Sequence, residues 1–108
     1  MKITTWNVNS VNARIEHLIK FINRDQSDLY LIQELKCTNE SFPREELENI
    51  NYKCYVNGQK AWNGVAILSK ESIEISNLKI PNYQDVNSRF IETEISLKNL
   101  KNKIKLIN

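Results

Sequence analysis

The order of hydrophobic patterns at the start of the chain constrains the fold more than any other feature of the sequence. Residues from Lys2 to Val8 favour extended structure, apolar residues recur at helical spacing from Val11 to Ile22, and Leu29–Ile32 is a short apolar run. This order predicts a strand, a helix and a second strand, with the two strands adjacent, parallel and joined by a right-handed crossover. The apolar run is typical of a central strand that is buried on both faces.

The remainder of the chain has a different pattern. Pro43 is expected to open a short helix, with Glu45 and Glu46 in its first turn, where the helix dipole favours acidic side chains. Beyond that helix, five segments have the composition of strands, without helix-length segments between them: Tyr52–Val56, Val65–Ser69, Ile73–Ile80, Phe90–Leu97 and Ile104–Ile107. The second half is therefore predicted to be antiparallel, which makes the sheet mixed.

Two further expectations concern the last predicted strands. Ile91, Thr93 and Ile95 alternate with polar residues, so one face of their strand is predicted to be wet. Residues 98–102 are predicted to connect this strand to the next in a hairpin. The final strand prediction reaches the last residue, so we expect the 108 residues to form one partial domain, the front part of a larger fold.

Length and composition exclude several classes of protein. A chain of 108 residues forms one domain at most, and 41% hydrophobic with 26% charged residues is ordinary globular composition. No apolar run approaches the ~18 residues of a membrane span, and the N-terminus lacks a signal-peptide pattern. We therefore expect a cytoplasmic protein without a membrane partner. Two cysteines and one histidine are too few for a disulfide scaffold or a zinc site.

Polar side chains follow both strands of the predicted parallel pair. Asn7 ends the first strand and Glu34 follows the second, and ligands collect beyond the carboxyl ends of parallel strands. An amide oxygen and a carboxylate are hard ligands that suit Mg²⁺. The alternative is structural: Asn7 starts a turn, and Glu34 is an exposed acid at a strand end.

Several short motifs occur in one order along the chain: Trp6–Ser10, Gln33–Lys36, Phe42-Pro43, Gly58–Lys70 and Arg89–Ile91. Together they resemble the N-terminal part of the endonuclease/exonuclease/phosphatase family, and the stretch Gly58–Lys70 points to its DNA-repair branch of the exodeoxyribonuclease III type. The resemblance implies the N-terminal portion of a four-layered α/β sandwich with a mixed sheet, truncated before the second half.

The resemblance also implies residue roles at the metal. Glu34 is expected to be a ligand of a catalytic Mg²⁺ or Mn²⁺, and Asn7 to line or complete that site. Lys36, placed two residues after Glu34 on the same strand face, is expected to orient the site or meet a phosphate. Asn9 stands where some relatives have aspartate; its amide weakens any metal role but can still form hydrogen bonds, so Asn9 is expected among the DNA-binding residues.

Three further positions resemble DNA contacts. Asn12 stands at the helix start, at a phosphate-contact position that is often Arg. Trp62 lies in a loop where relatives place DNA-contacting residues, and Arg89 precedes an apolar strand. The alternatives are a solvated Lys36, a Trp62 that covers the core and an Arg89 that merely begins a strand. His17, on the helix surface, does not match the family's catalytic histidine.

The activity implied is that of a metal-dependent DNA repair nuclease, a 3′–5′ exonuclease and abasic-site endonuclease that acts on double-stranded DNA as a monomer. The catalytic Tyr of the family, its Asp and Asn pairs and its terminal Asp-His are expected beyond residue 108, so no complete catalytic set is expected in this chain. A non-enzymatic remnant, or one piece of a split enzyme with a separately encoded C-terminal part, is the second hypothesis. A small α/β binding module is the third.

Overall fold

The protein is described here by a computed structural model that covers residues 1–98 and 101–108. Its elements follow the chain in this order: β1 (Ile3–Asn7), α1 (Val11–Asp25), β2 (Leu29–Gln33), α2 (Arg44–Glu48), β3 (Lys53–Asn57), β4 (Val65–Ser69), β5 (Ile75–Asn77), β6 (Glu92–Ile95) and β7 (Ile104–Ile107). In the described residues, no helix is long and apolar enough to cross a membrane.

The first sheet is mixed and has the strand order β1-β2-β4-β3. Strands β1 and β2 are parallel, with Ile3 opposite Leu29 and Asn7 opposite Gln33, which confirms the predicted strand, helix and strand unit. Strand β4 is antiparallel to both β2 and β3. The helix α1 buries Val11, Leu18 and Ile22 against one face of this sheet, because these residues share one side of the helix.

The second sheet has the order β5-β6-β7 and is antiparallel, as predicted for the second half. It packs on the other face of the first sheet. The core between the two sheets contains buried residues from both: Leu29, Val65, Ile67, Ile91 and Ile95. The molecule therefore has three layers, with the helices on the outside of the mixed sheet, the mixed sheet in the middle and the antiparallel sheet beyond it.

Two expectations from the sequence need correction, and a third falls partly outside the described residues. Only Ile75–Asn77 of the predicted strand Ile73–Ile80 pairs with β6, and a register irregularity interrupts the pairing. Glu92, predicted on a wet face, is buried. A hydrogen bond from Asn77 and the Lys105 ammonium at 3.4 Å compensate the burial of its carboxylate. The hairpin predicted over residues 98–102 includes residues 99 and 100, which lie outside the described residues.

The start of α1 is held by backbone contacts rather than by a side-chain cap. Ser10 occupies the position before the helix, but its side chain makes no capping hydrogen bond. The backbone N–H groups of Ser10 and Val11 instead donate to the carbonyl oxygens of Glu34 and Leu35. The helix start is therefore tied to the chain immediately after β2, which brings the two segments with polar motifs together.

Candidate functional site

The carboxyl ends of β1 and β2 form one edge of the mixed sheet. Asn7 is the last residue of β1 and lies opposite Gln33, the last residue of β2. The next backbone hydrogen bond, from Val8 N–H to the Gln33 carbonyl at 3.0 Å, continues the pairing beyond both strands. Asn7 and Glu34 therefore lie at the same edge of the sheet, as the sequence predicted.

The backbone turns sharply where β2 ends. Glu34 and Lys36 both have positive φ, of 54° and 53°. The N–H groups of Leu35 and Lys36 donate to the Gly64 and Asn63 carbonyls, which attaches this segment to the loop before β4. The expectation that Lys36 lies on the same strand face as Glu34 is therefore wrong, because the strand has already ended at Gln33.

The Lys36 side chain joins the polar groups at this edge. Its ammonium donates a hydrogen bond of 2.6 Å to Asn9 Oδ1 and lies 3.8 Å from Glu34 Oε2. The same ammonium is 5.7 Å from the centre of the Trp62 ring, within the range of a cation–π interaction. Four residues that the sequence predicted for the site, from three separate segments, are thus brought together, and Lys36 is partly shielded rather than freely solvated.

Asn7 is held by a local contact. Its side-chain Oδ1 accepts a hydrogen bond of 3.1 Å from the N–H of Asn9, as in a turn. This is the structural role that the sequence left open for Asn7. The carboxamide is nevertheless exposed, and an amide oxygen has a second lone pair for a further partner.

The loop from Gly58 to Gly64 carries Trp62, whose surface is 70% exposed, so this residue does not cover the core. Polar contacts hold the loop to the segment before β6. Ser88 N–H donates to Gln59 Oε1 at 2.8 Å, Ser88 Oγ donates to the Gly58 carbonyl, and Gly64 N–H donates to the Ser88 carbonyl. The loop is therefore anchored at both ends, while the indole ring projects into solvent.

Asn12 and Arg89 stand apart from the Lys36 group in their contacts. Asn12 donates a side-chain hydrogen bond to the Ser41 carbonyl, so it ties α1 to the segment before α2. The Arg89 guanidinium lies 3.6 Å from Asp85, and 59% of its side chain is exposed. Arg89 therefore adds a solvent-facing cation to the segment that holds the Trp62 loop.

The carboxyl ends of β1 and β2 carry only a few oxygen ligands for a divalent cation. The Glu34 side chain is 45% exposed, and its only ion-pair partner in the described residues is the Lys36 ammonium. The described part of the chain contains no group of three or more His, Cys, Asp or Glu side chains that could hold a metal ion. The donors still fit Mg²⁺, because this ion commonly takes one or two carboxylates together with water and substrate phosphates.

No role was assigned from the sequence to two polar residues near these strand ends, Asn108 and Gln33, although Gln33 begins the motif Gln33–Lys36. The Asn108 carboxamide donates to the carbonyls of Ile32 and Ala66, and its Oδ1 accepts a hydrogen bond of 2.6 Å from Gln33. Gln33 also donates to Thr5 Oγ1. These contacts join the two sheets at the end of β2, which Glu34 follows in the chain, and the only signal in the sequence was the polar character of Gln33 within an apolar strand.

Comparisons with known proteins agree with this geometry. Residues 4–105 match the family described as Endonuclease/Exonuclease/phosphatase family. The chain is 35% identical to the exodeoxyribonuclease III of Haemophilus influenzae over 102 residues, an alignment that covers 90% of this chain and 38% of that protein. The chain thus spans well under half the length of this curated relative.

Solved structures give the same result. A 3′ phosphatase, NExo, from Neisseria, bound to a product DNA hairpin, is 33% identical with a TM-score of 0.87, over 99% of this chain and 40% of that one. An AP endonuclease from Archaeoglobus fulgidus is 33% identical with a TM-score of 0.81, over 89% of this chain and 37% of that one. The mixed α/β architecture is therefore that of the N-terminal part of the family's fold, and the chain belongs to the endonuclease/exonuclease/phosphatase family.

Proposed function

We propose that this chain supplies the metal-binding and part of the DNA-binding half of a metal-dependent DNA repair nuclease that hydrolyses phosphodiester bonds at abasic sites and 3′ ends. The observation that carries the proposal is the meeting of Glu34, Lys36, Asn9 and Trp62 at the carboxyl ends of β1 and β2. At these strand ends the carboxylate suits a divalent cation and the ammonium suits a phosphate. The exposed aromatic ring suits stacking on a nucleobase.

Glu34 and Asn7 are the residues that would hold Mg²⁺ or Mn²⁺, which would supply Lewis-acid stabilisation of charge at the phosphate. Lys36, already close to the Glu34 carboxylate, would pair with a phosphate oxygen as a point charge. Asn9 holds the Lys36 ammonium at 2.6 Å and so directs it.

Three residues would contact DNA around this centre. The exposed Trp62 ring offers a face on which a base or sugar can stack. Arg89 would pair with a phosphate of the strand that passes the Trp62 loop, since its guanidinium faces solvent. Asn12 would hydrogen-bond a phosphate near the start of α1, with the amide hydrogen that the Ser41 carbonyl leaves free.

A second candidate function is non-enzymatic on its own: the chain is a remnant, or one piece of a split enzyme that needs a separately encoded C-terminal part. The observation that favours it is the absence, in residues 1–98 and 101–108, of any cluster of three metal-ligating side chains. Hydrolysis also needs a base within hydrogen-bond reach of the attacking water. Asp25 is not placed to act as this base, because its carboxylate accepts a hydrogen bond from the Lys2 ammonium near the opposite end of β1.

A chimeric enzyme tests the assignment of the site. The chain replaces the segment with which it aligns in the Haemophilus influenzae relative, and cleavage of a duplex with one abasic site is measured with Mg²⁺ and with a chelator. We expect Mg²⁺-dependent cleavage that falls by at least about 100-fold in Glu34→Ala, since second-shell changes alone cost about 10- to 100-fold at metal sites.

Glu40→Ala is the matched control, because Glu40 is an exposed acid six residues further along the chain. We expect it to leave cleavage within about twofold of the parent chimera, as is usual for surface substitutions that change stability little. Full activity of the Glu34→Ala chimera would overturn the metal assignment.

A further inference from the structure

The chain contains two Asn-Gly sequences, Asn57-Gly58 and Asn63-Gly64, one at each end of the Trp62 loop. Glycine has no side chain to shield its backbone nitrogen, so this nitrogen can approach the side-chain carbonyl carbon of a preceding asparagine. Its attack on that carbon closes a five-membered succinimide ring and releases ammonia. Both sequences are therefore open to spontaneous deamidation, and their surroundings decide which of them reacts.

Asn57 is held by its strand and by its side chain. It is the last residue of β3 and lies opposite Val65 of β4. Its side-chain amide donates hydrogen bonds of 3.1 Å and 3.0 Å to the backbone carbonyls of Leu78 and Phe90. Both bonds must break, and the carboxamide must turn, before its carbon can meet the Gly58 nitrogen. The native contacts of Asn57 therefore oppose the reaction.

Asn63 is held less firmly. In the part of the chain that the structure describes, its side-chain amide has one hydrogen-bond partner, Gln59 Oε1 at 3.4 Å. This distance lies beyond the usual range of an N–H···O bond. Asn63 also has a positive φ of 58°, so its backbone stores strain that a local rearrangement can release. Opening of the loop therefore frees the Asn63 carboxamide more readily than opening of β3 frees that of Asn57.

The two glycine nitrogens do not account for a difference between the pairs. Gly58 N–H donates to Asn39 Oδ1 at 2.6 Å, and Gly64 N–H donates to the Ser88 carbonyl at 2.8 Å. Each nitrogen must leave its acceptor and lose its proton before it attacks, so this requirement is similar in both pairs. The side chains and backbones of the two asparagines therefore determine which pair reacts faster.

The Asn63-Gly64 pair also supports the candidate site. The Asn63 and Gly64 carbonyls accept hydrogen bonds of 3.0 Å and 3.1 Å from the N–H groups of Lys36 and Leu35. Strand β4, which begins directly after this pair, lies between β2 and β3 and is not at an open edge of the sheet. A change in the backbone between these two carbonyls would therefore disturb the turn that carries Glu34 and Lys36.

We propose that Asn63 is a site of spontaneous deamidation and isomerisation, and that its isoaspartate product weakens the contacts between the turn after β2 and the Trp62 loop. In isoaspartate, Cβ of the residue enters the main chain and the former backbone carbonyl becomes part of a free carboxylate. The main-chain acceptor of the Lys36 N–H is then displaced. The reaction itself does not rest on the proposed function, because it involves only this pair and water.

The reaction proceeds in two steps. The Gly64 nitrogen gives its proton to solvent and forms a bond to Asn63 Cγ, while the side-chain nitrogen takes a proton from solvent and leaves as ammonia. Water then opens the succinimide at one of its two carbonyl carbons. Attack at Cγ breaks the new bond and gives aspartate, whereas attack at the backbone carbonyl carbon breaks the original peptide bond and gives isoaspartate.

The unsubstituted chain tests the site. Trypsin separates the two pairs, because cleavage after lysine places Asn57 in peptide 54–60 and Asn63 in peptide 61–70. The folded chain is incubated at mildly alkaline pH, and mass spectrometry follows the gain of about one dalton in each peptide. An isoaspartate-specific methyltransferase measures the isomerised product. We expect Asn63 to react at least about tenfold faster than Asn57, since two hydrogen bonds hold the Asn57 amide.

The chain unfolded in guanidinium chloride is the matched control for this comparison. Unfolding removes the contacts of both asparagines, so their rates should then agree within about threefold. Equal rates in the folded chain, or a faster reaction at Asn57, would overturn the proposal. So would the absence of reaction at Asn63 in the folded chain over the time in which the unfolded chain reacts.

Trp62 reports the effect on the turn. In Trp6→Phe the only indole is that of Trp62, and the Lys36 ammonium lies 5.7 Å from the centre of its ring. We expect the emission of this variant to change in step with its isoaspartate content. With Asn63→Gln added, the emission should stay constant, because a glutamine amide would have to close a six-membered ring, which forms more slowly.

Two outcomes would contradict the effect on the turn. One is a change in emission that persists in the double variant, and the other is isoaspartate formed from Asn63 without any change in emission. Far-UV circular dichroism verifies that both variants fold. The rate comparison between Asn57 and Asn63 uses the unsubstituted chain and contains no DNA or metal, so its outcome is independent of the chimera experiment on Glu34.

Discussion

At the scale of single residues, the candidate site is built from strained backbone. Asn9, Ser10, Glu34, Lys36 and Asn63 all have positive φ without being glycine. Such conformations cost about 1–3 kcal/mol each and persist only where surrounding contacts hold them. Here the backbone hydrogen bonds between the segments after β1, after β2 and before β4 hold them. These left-handed turns therefore place Glu34 and Lys36 together at the carboxyl ends of β1 and β2. A straight continuation of β2 would not do so.

The opposite end of β1 depends on one carboxylate. Asp25 accepts hydrogen bonds from Lys2, Thr4, Ser27 and Tyr30, and its side chain is only 14% exposed. The hydrogen bonds from Lys2 and Ser27 hold the pKa of this carboxyl well below its usual range. A lowered folded-state pKa means that the stabilisation is complete above the unfolded value of about 3.9 and is lost as the pH falls below it.

We therefore predict that Asp25→Asn lowers the melting temperature at pH 7 and that its difference from the parent chain shrinks between about pH 4 and pH 2. Thermal unfolding followed by circular dichroism across this pH range measures the effect. Glu16→Gln is the control, since Glu16 is an exposed acid on α1, and its melting curve should follow that of the parent. A difference for Asp25→Asn that stays constant with pH would contradict the role of its charge.

At the scale of elements, the Trp62 loop depends on close backbone approach at its first residue. A Cβ at Gly58 would lie 2.6 Å from the Cys37 carbonyl oxygen and 2.8 Å from the backbone nitrogen of Asn39. The Gly58 N–H donates to Asn39 Oδ1, so this approach is also a hydrogen-bonded contact. Only glycine allows the loop to pack here without moving the chain that follows Lys36.

Gly58→Ala is predicted to destabilise the protein by about 1–3 kcal/mol, the usual cost of forcing atoms into a packed site. Urea unfolding measures this change in the free energy of unfolding. Ala61→Gly is the matched control in the same loop, because Ala61 has a φ of 67° that glycine adopts freely. It should change stability by less than about 1 kcal/mol, and an equal loss in both variants would argue against the close approach as the cause.

The elements also show how far the sequence predicts this fold. β1, α1 and β2 were predictable because the apolar spacing of the helix and the buried apolar strand allow few ways to connect the three elements. Their order places Asn7 and Glu34 at the carboxyl ends of two neighbouring parallel strands. The burial of Glu92 was not predictable, since it depends on Asn77 and Lys105 from neighbouring strands. The contact between the Lys36 ammonium and the Trp62 ring was not predictable either, because it requires left-handed turns that no local sequence pattern indicates.

At the scale of the whole molecule, the two sheets have open edges. In the described residues β1 and β3 are the outer strands of the mixed sheet, and β5 and β7 those of the antiparallel sheet. Ile3 on β1 is 39% exposed and Ile107 on β7 is 57% exposed. Edges of this kind present unpaired N–H and C=O groups together with apolar side chains, which favours pairing with further strands. The relatives of known structure, of which the chain covers about two fifths, contain additional chain that could provide such strands.

We therefore predict that the 108-residue chain alone does not cleave an abasic-site duplex, and that cleavage appears when the remaining part of the Haemophilus influenzae relative is added as a separate polypeptide. Pairing along the open edges would complete both sheets and bring a base and further ligands to Glu34. Mg²⁺-dependent cleavage is measured for each polypeptide, for the mixture and for a mixture with Glu34→Ala, which should be inactive. Cleavage by the chain alone would show that its own residues suffice. A mixture that associates but stays inactive would favour a remnant, since the edges would then pair without assembling the catalytic groups.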